Sequence, residues 1–328
     1  MGVVRELANA PEITEAELRR PRIRYCLDLA QTTKTNTRIA CFRKSSRFCM
    51  LLCYPSAMDS YSGAIILTGV SGGMGFETAK TFIENGYAVF GLDIKEPPTS
   101  IDGLIFIKTD ITKEDQVIAA FNIVKEKGVA LDAIVSAAGI YELDSLVEIS
   151  EESFIRVFDV NVFSMYRINK IFLPLLKQKG KIIMISSELG PLDPLPFTGL
   201  YGISKSLIEK YAYSLRMELQ LLGHQVVLVR PGAIDTGLID VSQARLERFV
   251  NNTSLYKTNS KRFKSIVGGV ESKKIPPRKV AELIYRINGK RKPKYVYKIN
   301  RNLGLLMLNA MPQRFQNWII KRILTSKG

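Results

Sequence analysis

Between residues 63 and 229, short apolar runs alternate with helical patterns, and no other feature of the chain restricts its fold as much. The runs at 64–67, 88–92, 104–107, 133–135, 181–185 and 226–229 read as strands buried on both faces. Residues 77–85, 112–127, 151–178 and 200–222 repeat apolar side chains at helical spacing. Six strands alternating with helices specify an α/β fold, an open doubly wound parallel sheet with right-handed crossovers. The expected organisation is a poorly ordered extension over 1–57, the sheet-forming part over 58–241, and a lid and helical extension of the same domain over 242–328. No internal repeat interrupts this pattern.

Ligands of such sheets bind beyond the carboxyl ends of the strands, so the strand ends direct the search. The first strand runs into TGVSGGMG at 68–75, where Gly69, Gly73 and Gly75 open a helix. Backbone N–H groups and the positive helix end suit a pyrophosphate there, although the glycines alone also fit an ordinary turn. The second strand ends in Asp93, whose carboxylate can accept both hydroxyls of an adenosine ribose and would repel a 2′-phosphate. The third ends in Thr109-Asp110-Ile111, the fourth in Ser136-Ala137-Ala138-Gly139, the fifth in Ser186-Ser187 and the sixth in Arg230-Pro231-Gly232. Asp110 also suits the N-cap of the next helix, with Thr112 competing for that role.

Tyr201 and Lys205 stand at i and i+4, on one face of a helix. A tyrosine titrates near 10 and is a poor base at neutral pH. A neighbouring ammonium favours the phenolate. Taken alone, the pair fits a solvated helix face equally well. Ser187 lies 14 residues earlier, and Asn161 lies within the long helical stretch before it.

With these residues in place, the sequence resembles the short-chain dehydrogenase/reductase family. The resemblance is close from 63 to about 236 and looser beyond. It rests on Thr68-Gly69-x-x-x-Gly73-x-Gly75, Asp93, Asp110-Ile111, Asn161, Ser187, Tyr201-x-x-x-Lys205, and Pro231-Gly232 followed by Thr236. It implies a Rossmann fold and an oxidoreductase that moves a hydride between a nicotinamide and a secondary alcohol or ketone. By the same resemblance Tyr201 exchanges a proton with the substrate oxygen, and Lys205 lowers its pKa and holds the nicotinamide ribose. Ser187 stabilises the reacting oxygen, and Asn161 positions a water in a proton relay. Thr68, Gly69, Ser71, Gly73, Met74 and Gly75 are expected to cradle the cofactor. Asp93, Asp110, Ile111, Ala138 and Gly139 would line it, and Pro231, Gly232 and Thr236 would hold its carboxamide end. A homodimer or homotetramer is implied; a resident metal is not.

Two departures stand out. Ser136-Ala137-Ala138-Gly139 replaces the family's usual N-N-A-G, which weakens a sheet-stabilising hydrogen bond. The interval from Ser187 to Tyr201 is one residue longer than usual, within a proline-rich segment at 190–196. Asp93 favours NAD; Lys95, two residues on, leaves NADP as the alternative.

Leu192, Leu195, Phe197, Leu238, Ile239 and Phe249 suggest an apolar pocket for a steroid, retinoid or fatty substrate, although core packing also has a claim on them. Charge is concentrated beyond this point: residues 242–328 carry 21 Lys/Arg against 3 Asp/Glu, whereas 58–241 carry 16 against 23. The apolar stretches 303–311 and 318–324 with flanking Lys/Arg suit a helix lying in a membrane interface. They suit a helix covering the pocket or a subunit contact equally well. No apolar run is long enough to span a bilayer, so a cytoplasmic protein is expected, with peripheral membrane association as the further option. The basic tail lacks the interleaved aromatics of a nucleic-acid platform. A catalytically silent nucleotide-binding protein is the alternative function, and an intact Asn161, Ser187, Tyr201 and Lys205 set argues against it.

Residues 1–57 hold all four cysteines and favour Arg over Lys, 8 to 2. Only a short helix at 12–20 shows any period there. Met58 stands immediately before the first strand.

Overall fold

The computed structural model describes residues 38–44, 48–54, 61–270 and 274–325, with the backbone alone at 38–44, 48–54, 237–241 and 267–270. The chain divides into two units, Met1–Tyr61 and Ser62–Gly328. In the first, strands β1 (Arg38–Lys44) and β2 (Phe48–Tyr54) pair antiparallel. Strand structure was not foreseen there, because the apolar run of β2 carries no period of two. The helix expected at 12–20, Cys26, and the side chains of Cys41, Cys49 and Cys53 lie outside the described residues.

The second unit begins with β3 (Gly63–Thr68), α1 (Gly73–Glu84), β4 (Tyr87–Asp93) and β5 (Leu104–Lys108). It continues through α2 (Glu114–Glu126), β6 (Leu131–Ser136), α3 (Glu151–Phe158) and α4 (Ser164–Phe172). Then come β7 (Leu176–Ile185), α5 (Gly199–Leu219), β8 (Gln225–Pro231), α6 (Gly237–Asn252), α7 (Lys257–Val270) and α8 (Pro277–Gly289). Strand β9 (Val296–Ile299) precedes α9 (Leu303–Asn309) and α10 (Gln313–Thr325). Among the described residues, seven strands form one parallel sheet in the order β5-β4-β3-β6-β7-β8-β9. This is the doubly wound topology, with its switch point between β3 and β6.

Ile65, Leu67, Val89, Val135, Ile183 and Val229 are buried in the core. Covered on both faces, these strands read as unbroken apolar runs rather than as alternation.

Three local differences from the sequence reading have physical causes. β9 was missed because its surroundings are rich in lysine, as befits an edge strand. The helix expected over 151–178 ends at Phe172; a tight turn with Pro174 follows, and β7 starts at Leu176. That helix is also interrupted by a π-helical turn at Asp159–Phe163, a feature common at functional sites.

A second apolar cluster lies apart from the sheet core. Leu143, Leu246, Phe249, Phe263 and Leu324 are buried in it, with Tyr141, Phe197, Tyr256 and Ile320 packed against them. Phe197 is central: its ring centroid lies 4.6 Å from Phe249, 5.2 Å from Tyr256 and 5.4 Å from Phe263. Phe197 and Phe249, read as pocket lining, therefore pack against each other. The side chains of Leu238 and Ile239 lie outside the described residues. α10 contributes Ile320 and Leu324 to this cluster, so its inner face is covered. Its outer face is not: Trp318 is 55% and Phe315 49% exposed.

Candidate active site

The glycine turn is set by close approach. Gly69 has φ +76°, and a Cβ there would lie 2.7 Å from the Ala138 backbone. A Cβ on Gly75 would lie 2.0 Å from the Gly69 carbonyl oxygen. Gly72 precedes α1 without any side-chain cap, and the first turn of α1 carries no acidic residue. The positive helix end is thus left for an anion, as a dinucleotide phosphate requires. Thr68 accepts a hydrogen bond from the Ala138 N–H at 3.3 Å, which joins the turn to the end of β6. A Cβ on Gly73 would lie 2.9 Å from Thr236 Cγ2, so Thr236 faces the cradle from the start of α6.

Asp93 has an additional task. Its carboxylate accepts from the Ser71 N–H at 3.0 Å and the Lys95 N–H at 3.3 Å, and the Ser71 hydroxyl donates to the Lys95 carbonyl. The residue expected to read the ribose also fastens the loop that receives the phosphates. Asp110 does not cap α2, whose N-cap position is Lys113. Instead it accepts from the Thr112 N–H at 2.9 Å and hydroxyl at 2.7 Å, building the turn before the helix. Ile111 is buried beside it. At the family departure, the Ser136 hydroxyl is buried without a partner, in keeping with a hydrogen bond missing from this strand end.

Tyr201 and Lys205 lie on the first turns of α5, with Lys205 Nζ 5.6 Å from the Tyr201 ring centroid. The Ser187 hydroxyl hydrogen-bonds the Tyr201 phenol, and Lys205 donates to the Ile185 carbonyl at 3.2 Å. Asn161 is fully buried in the π-helical turn. Its amide donates to the Ile140 carbonyl at 3.0 Å and to the Ser204 hydroxyl at 3.1 Å, and its oxygen accepts from the Ile140 N–H at 2.8 Å. A Cβ on Gly139 would lie 3.3 Å from Asn161 Oδ1 and 3.6 Å from Lys205 Nζ. These four side chains therefore converge at the carboxyl edge of β6 and β7.

Burial pushes the Tyr201 phenol well above its ordinary value; the Ser187 hydrogen bond opposes this and Tyr141 adds to it. The sequence reading expected Lys205 to draw the phenol down. Burial dominates instead, and the same burial pulls the Lys205 ammonium down to about 8, with the Glu209 carboxylate opposing.

On the other side, Gly232 donates to the Ile299 carbonyl at 2.9 Å, and a Cβ there would lie 1.8 Å from the Asn300 oxygen. The overlooked β9 thus holds the Pro231-Gly232 turn in place. Sequence reasoning also passed over Tyr141, whose ring lies 4.8 Å from that of Tyr201. Glu188, which accepts from the Asn302 N–H at 2.7 Å, ties the start of α9 to the strand end carrying Ser187. Glu209 was overlooked although its i+4 spacing from Lys205 places it on the same helix face.

Among the described residues, no group of three or more His, Cys, Asp or Glu side chains is arranged to hold a metal. No described helix is long and apolar enough to cross a membrane.

The family model described as short chain dehydrogenase matches residues 63–247. A 3-ketodihydrosphingosine reductase from Bacteroides thetaiotaomicron is 29% identical over 249 residues, covering 75% of this chain and 91% of that protein. Estradiol 17-beta-dehydrogenase 2 from Mus musculus is 32% identical over 207 residues, covering 58% of this chain and 54% of the mouse protein. Among solved structures, a short chain dehydrogenase family protein from Francisella tularensis superposes with a TM-score of 0.61 at 25% identity, covering 72% of this chain and 96% of that one.

Proposed function

Because the chain belongs to the short-chain dehydrogenase family, oxidoreductases acting on CH–OH groups with NAD or NADP, we propose that it interconverts a hydrophobic secondary alcohol and its ketone, using NAD. The observation that carries this reading is the convergence of Asn161, Ser187, Tyr201 and Lys205 beside an uncapped, glycine-lined helix start.

The nicotinamide, when bound, supplies or accepts the hydride. In the reductive direction Tyr201 gives its hydroxyl proton to the substrate oxygen, and its high pKa keeps that proton in place until charge develops there. Ser187 shares the same oxygen as a hydrogen-bond donor. In the oxidative direction Tyr201 must accept a proton, so the positive charge of Lys205 is needed against the effect of burial. Asn161 locks the 139–140 wall to α5 and holds the relay end beside Lys205. Gly69, Ser71, Gly73, Met74 and Gly75 receive the phosphates. Ala138 and Gly139 line the cofactor, with Asp110 and Ile111 at its adenine side. Pro231, Gly232 and Thr236 take its carboxamide end. Asp93, whose carboxylate holds the Ser71 N–H, favours NAD, and Lys95 beside it leaves NADP as the alternative.

The names of the two relatives support a large apolar substrate, and the Tyr141 ring beside Tyr201 gives the site an aromatic wall. The exposed Ile203, Leu207 and Met217 on α5 and Phe163 and Tyr166 beside them support a second copy docking on this face. The exposed outer faces of α9 and α10, within the strongly basic C-terminal region, support peripheral contact with an anionic membrane.

The test is a panel of hydrophobic alcohols and ketones with NAD(H) and NADP(H), followed by absorbance of the reduced nicotinamide. Turnover confined to small sugars, or a clear preference for NADPH, would overturn the corresponding part of this reading.

A further inference from the structure

Glu209 lies one helical turn beyond Lys205 on α5, and its side chain is 10% exposed. Both its oxygens accept from Arg230, at 2.9 Å from Nε and 2.6 Å from a terminal nitrogen. Arg230 is 17% exposed and immediately precedes Pro231-Gly232 at the end of β8. The pair therefore joins the helix bearing Tyr201 and Lys205 to the strand bearing the turn on the other side of the site. A third segment meets it: a Cβ on Gly190 would lie 2.9 Å from Glu209 Oε1, and the Gly190 N–H donates to the Ser187 carbonyl at 3.1 Å.

A buried ion pair is an expensive way to join a helix to a strand, since apolar residues of the same volume often do as well or better. Its position suggests what it is for. We propose that Glu209, held by Arg230, is a positioning residue that keeps the Lys205 ammonium charged within the protein interior. Several groups face Lys205 from the elements around it. α5 presents Tyr201 and, one turn on, Glu209, whose carboxylate carries the Arg230 guanidinium of β8; β7 presents the Ile185 carbonyl and the π-helical turn Asn161. Tyr141 stands beyond Tyr201. The Tyr295 hydroxyl donates to the Glu209 carbonyl at 3.3 Å, and Arg216 lies 5.2 Å from the Tyr295 ring. Burial disfavours the charge on Lys205, and the negative Glu209 restores part of it. Without that carboxylate the lysine loses its proton at lower pH. Arg230 sets the strength of the effect by neutralising part of the carboxylate's field.

The consequence for cofactor binding rests on the proposed role of Lys205, but the charge itself can be measured without cofactor. Full-length protein with 13C at the lysine ε-carbons is titrated by NMR, and the Lys205 signal is identified by its loss in Lys205→Arg. In the wild type the midpoint is expected near 8. Glu209→Gln should lower it by about one unit, and Arg230→Gln, which frees the carboxylate, should raise it. Opposite movements are a signature that loss of packing does not produce. An unmoved midpoint in either folded variant overturns the proposal, so the test survives if one of them fails to fold. NADH binding is then followed by fluorescence from pH 6 to 9. Glu209→Gln should weaken binding roughly fivefold at pH 8, approaching tenfold at pH 9, and little at pH 6. A loss independent of pH assigns the pair a structural role and overturns the proposal. A wild type that binds no NADH at any pH refutes the cofactor reading instead, while the lysine titration still decides the role of Glu209.

Discussion

Ile65, Val89, Val135, Ile183 and Val229 come from neighbouring parallel strands whose backbones are hydrogen-bonded in register. Leu143, Phe249, Phe263 and Leu324 come from four segments that share no ladder. The second cluster is held instead by side chains. Glu142, 6% exposed, pairs with Arg245 at 3.3 Å and Arg248 at 2.5 Å, joining the loop after β6 to α6. Glu148 accepts from the Thr253 hydroxyl at 2.6 Å and the Ser254 N–H at 2.8 Å, and these bonds bring its carboxyl down to about 2. Phe197 packs there at φ +66°, a conformation bulky residues rarely adopt. The sheet is thus held through its backbone, whereas the second cluster, the aromatic cover of the proposed site, depends on contacts that can be broken one at a time. On the proposed function, chemistry belongs at the ends of the first region's strands, and access and selectivity to the second.

Substitutions can sharpen or break that division. Tyr201→Phe should reduce NADH-dependent turnover of a hydrophobic ketone by roughly 10² to 10⁴, with NADH binding retained. Activity close to wild type would remove Tyr201 from the mechanism.

Phe249→Ala should cost about 3 kcal/mol, felt mainly in the cover. Proteolysis within 237–270 should accelerate while hydrogen exchange in β3, β6 and β7 stays slow. If the sheet loosens equally, the two regions form one cooperative unit and the contrast fails.

Asp93→Ala should relax discrimination against NADPH by about tenfold, since like-charge repulsion is lost with a ribose acceptor. It should weaken both cofactors as well, because Ser71 loses the acceptor of its N–H. The ratio of the two dissociation constants separates these effects.

The smallest effect concerns the outer face of α10. Replacing Phe315 and Trp318 with alanine should reduce co-sedimentation with anionic vesicles a few-fold and leave turnover of a soluble ketone unchanged. High salt should reduce binding further, each nearby basic residue contributing about 1 kcal/mol. These substitutions are cleaner than truncation before α9, which would strip Ile320 and Leu324 from the cover. Sedimentation unaffected by both the substitutions and salt would end the membrane proposal.

The alternating runs, the three glycines and Tyr201 with Lys205 were legible because each is a short-range pattern. A helix repeats in less than four residues, a strand end is marked by the residues beside it, and a left-handed turn selects glycine locally. Those patterns by themselves determined the doubly wound sheet and the places where chemistry could sit. Only the tertiary structure decided the pairing of Glu209 with Arg230, the support of Gly232 by β9, the anchoring of Asn161 to Ile140 and Ser204, and the packing of Leu324 beneath the aromatic cover. It also decided that burial, rather than Lys205, dominates the Tyr201 phenol. The physical reason is the same in each case: these effects depend on groups distant in sequence being brought together out of water, and no local period records which distant group will arrive.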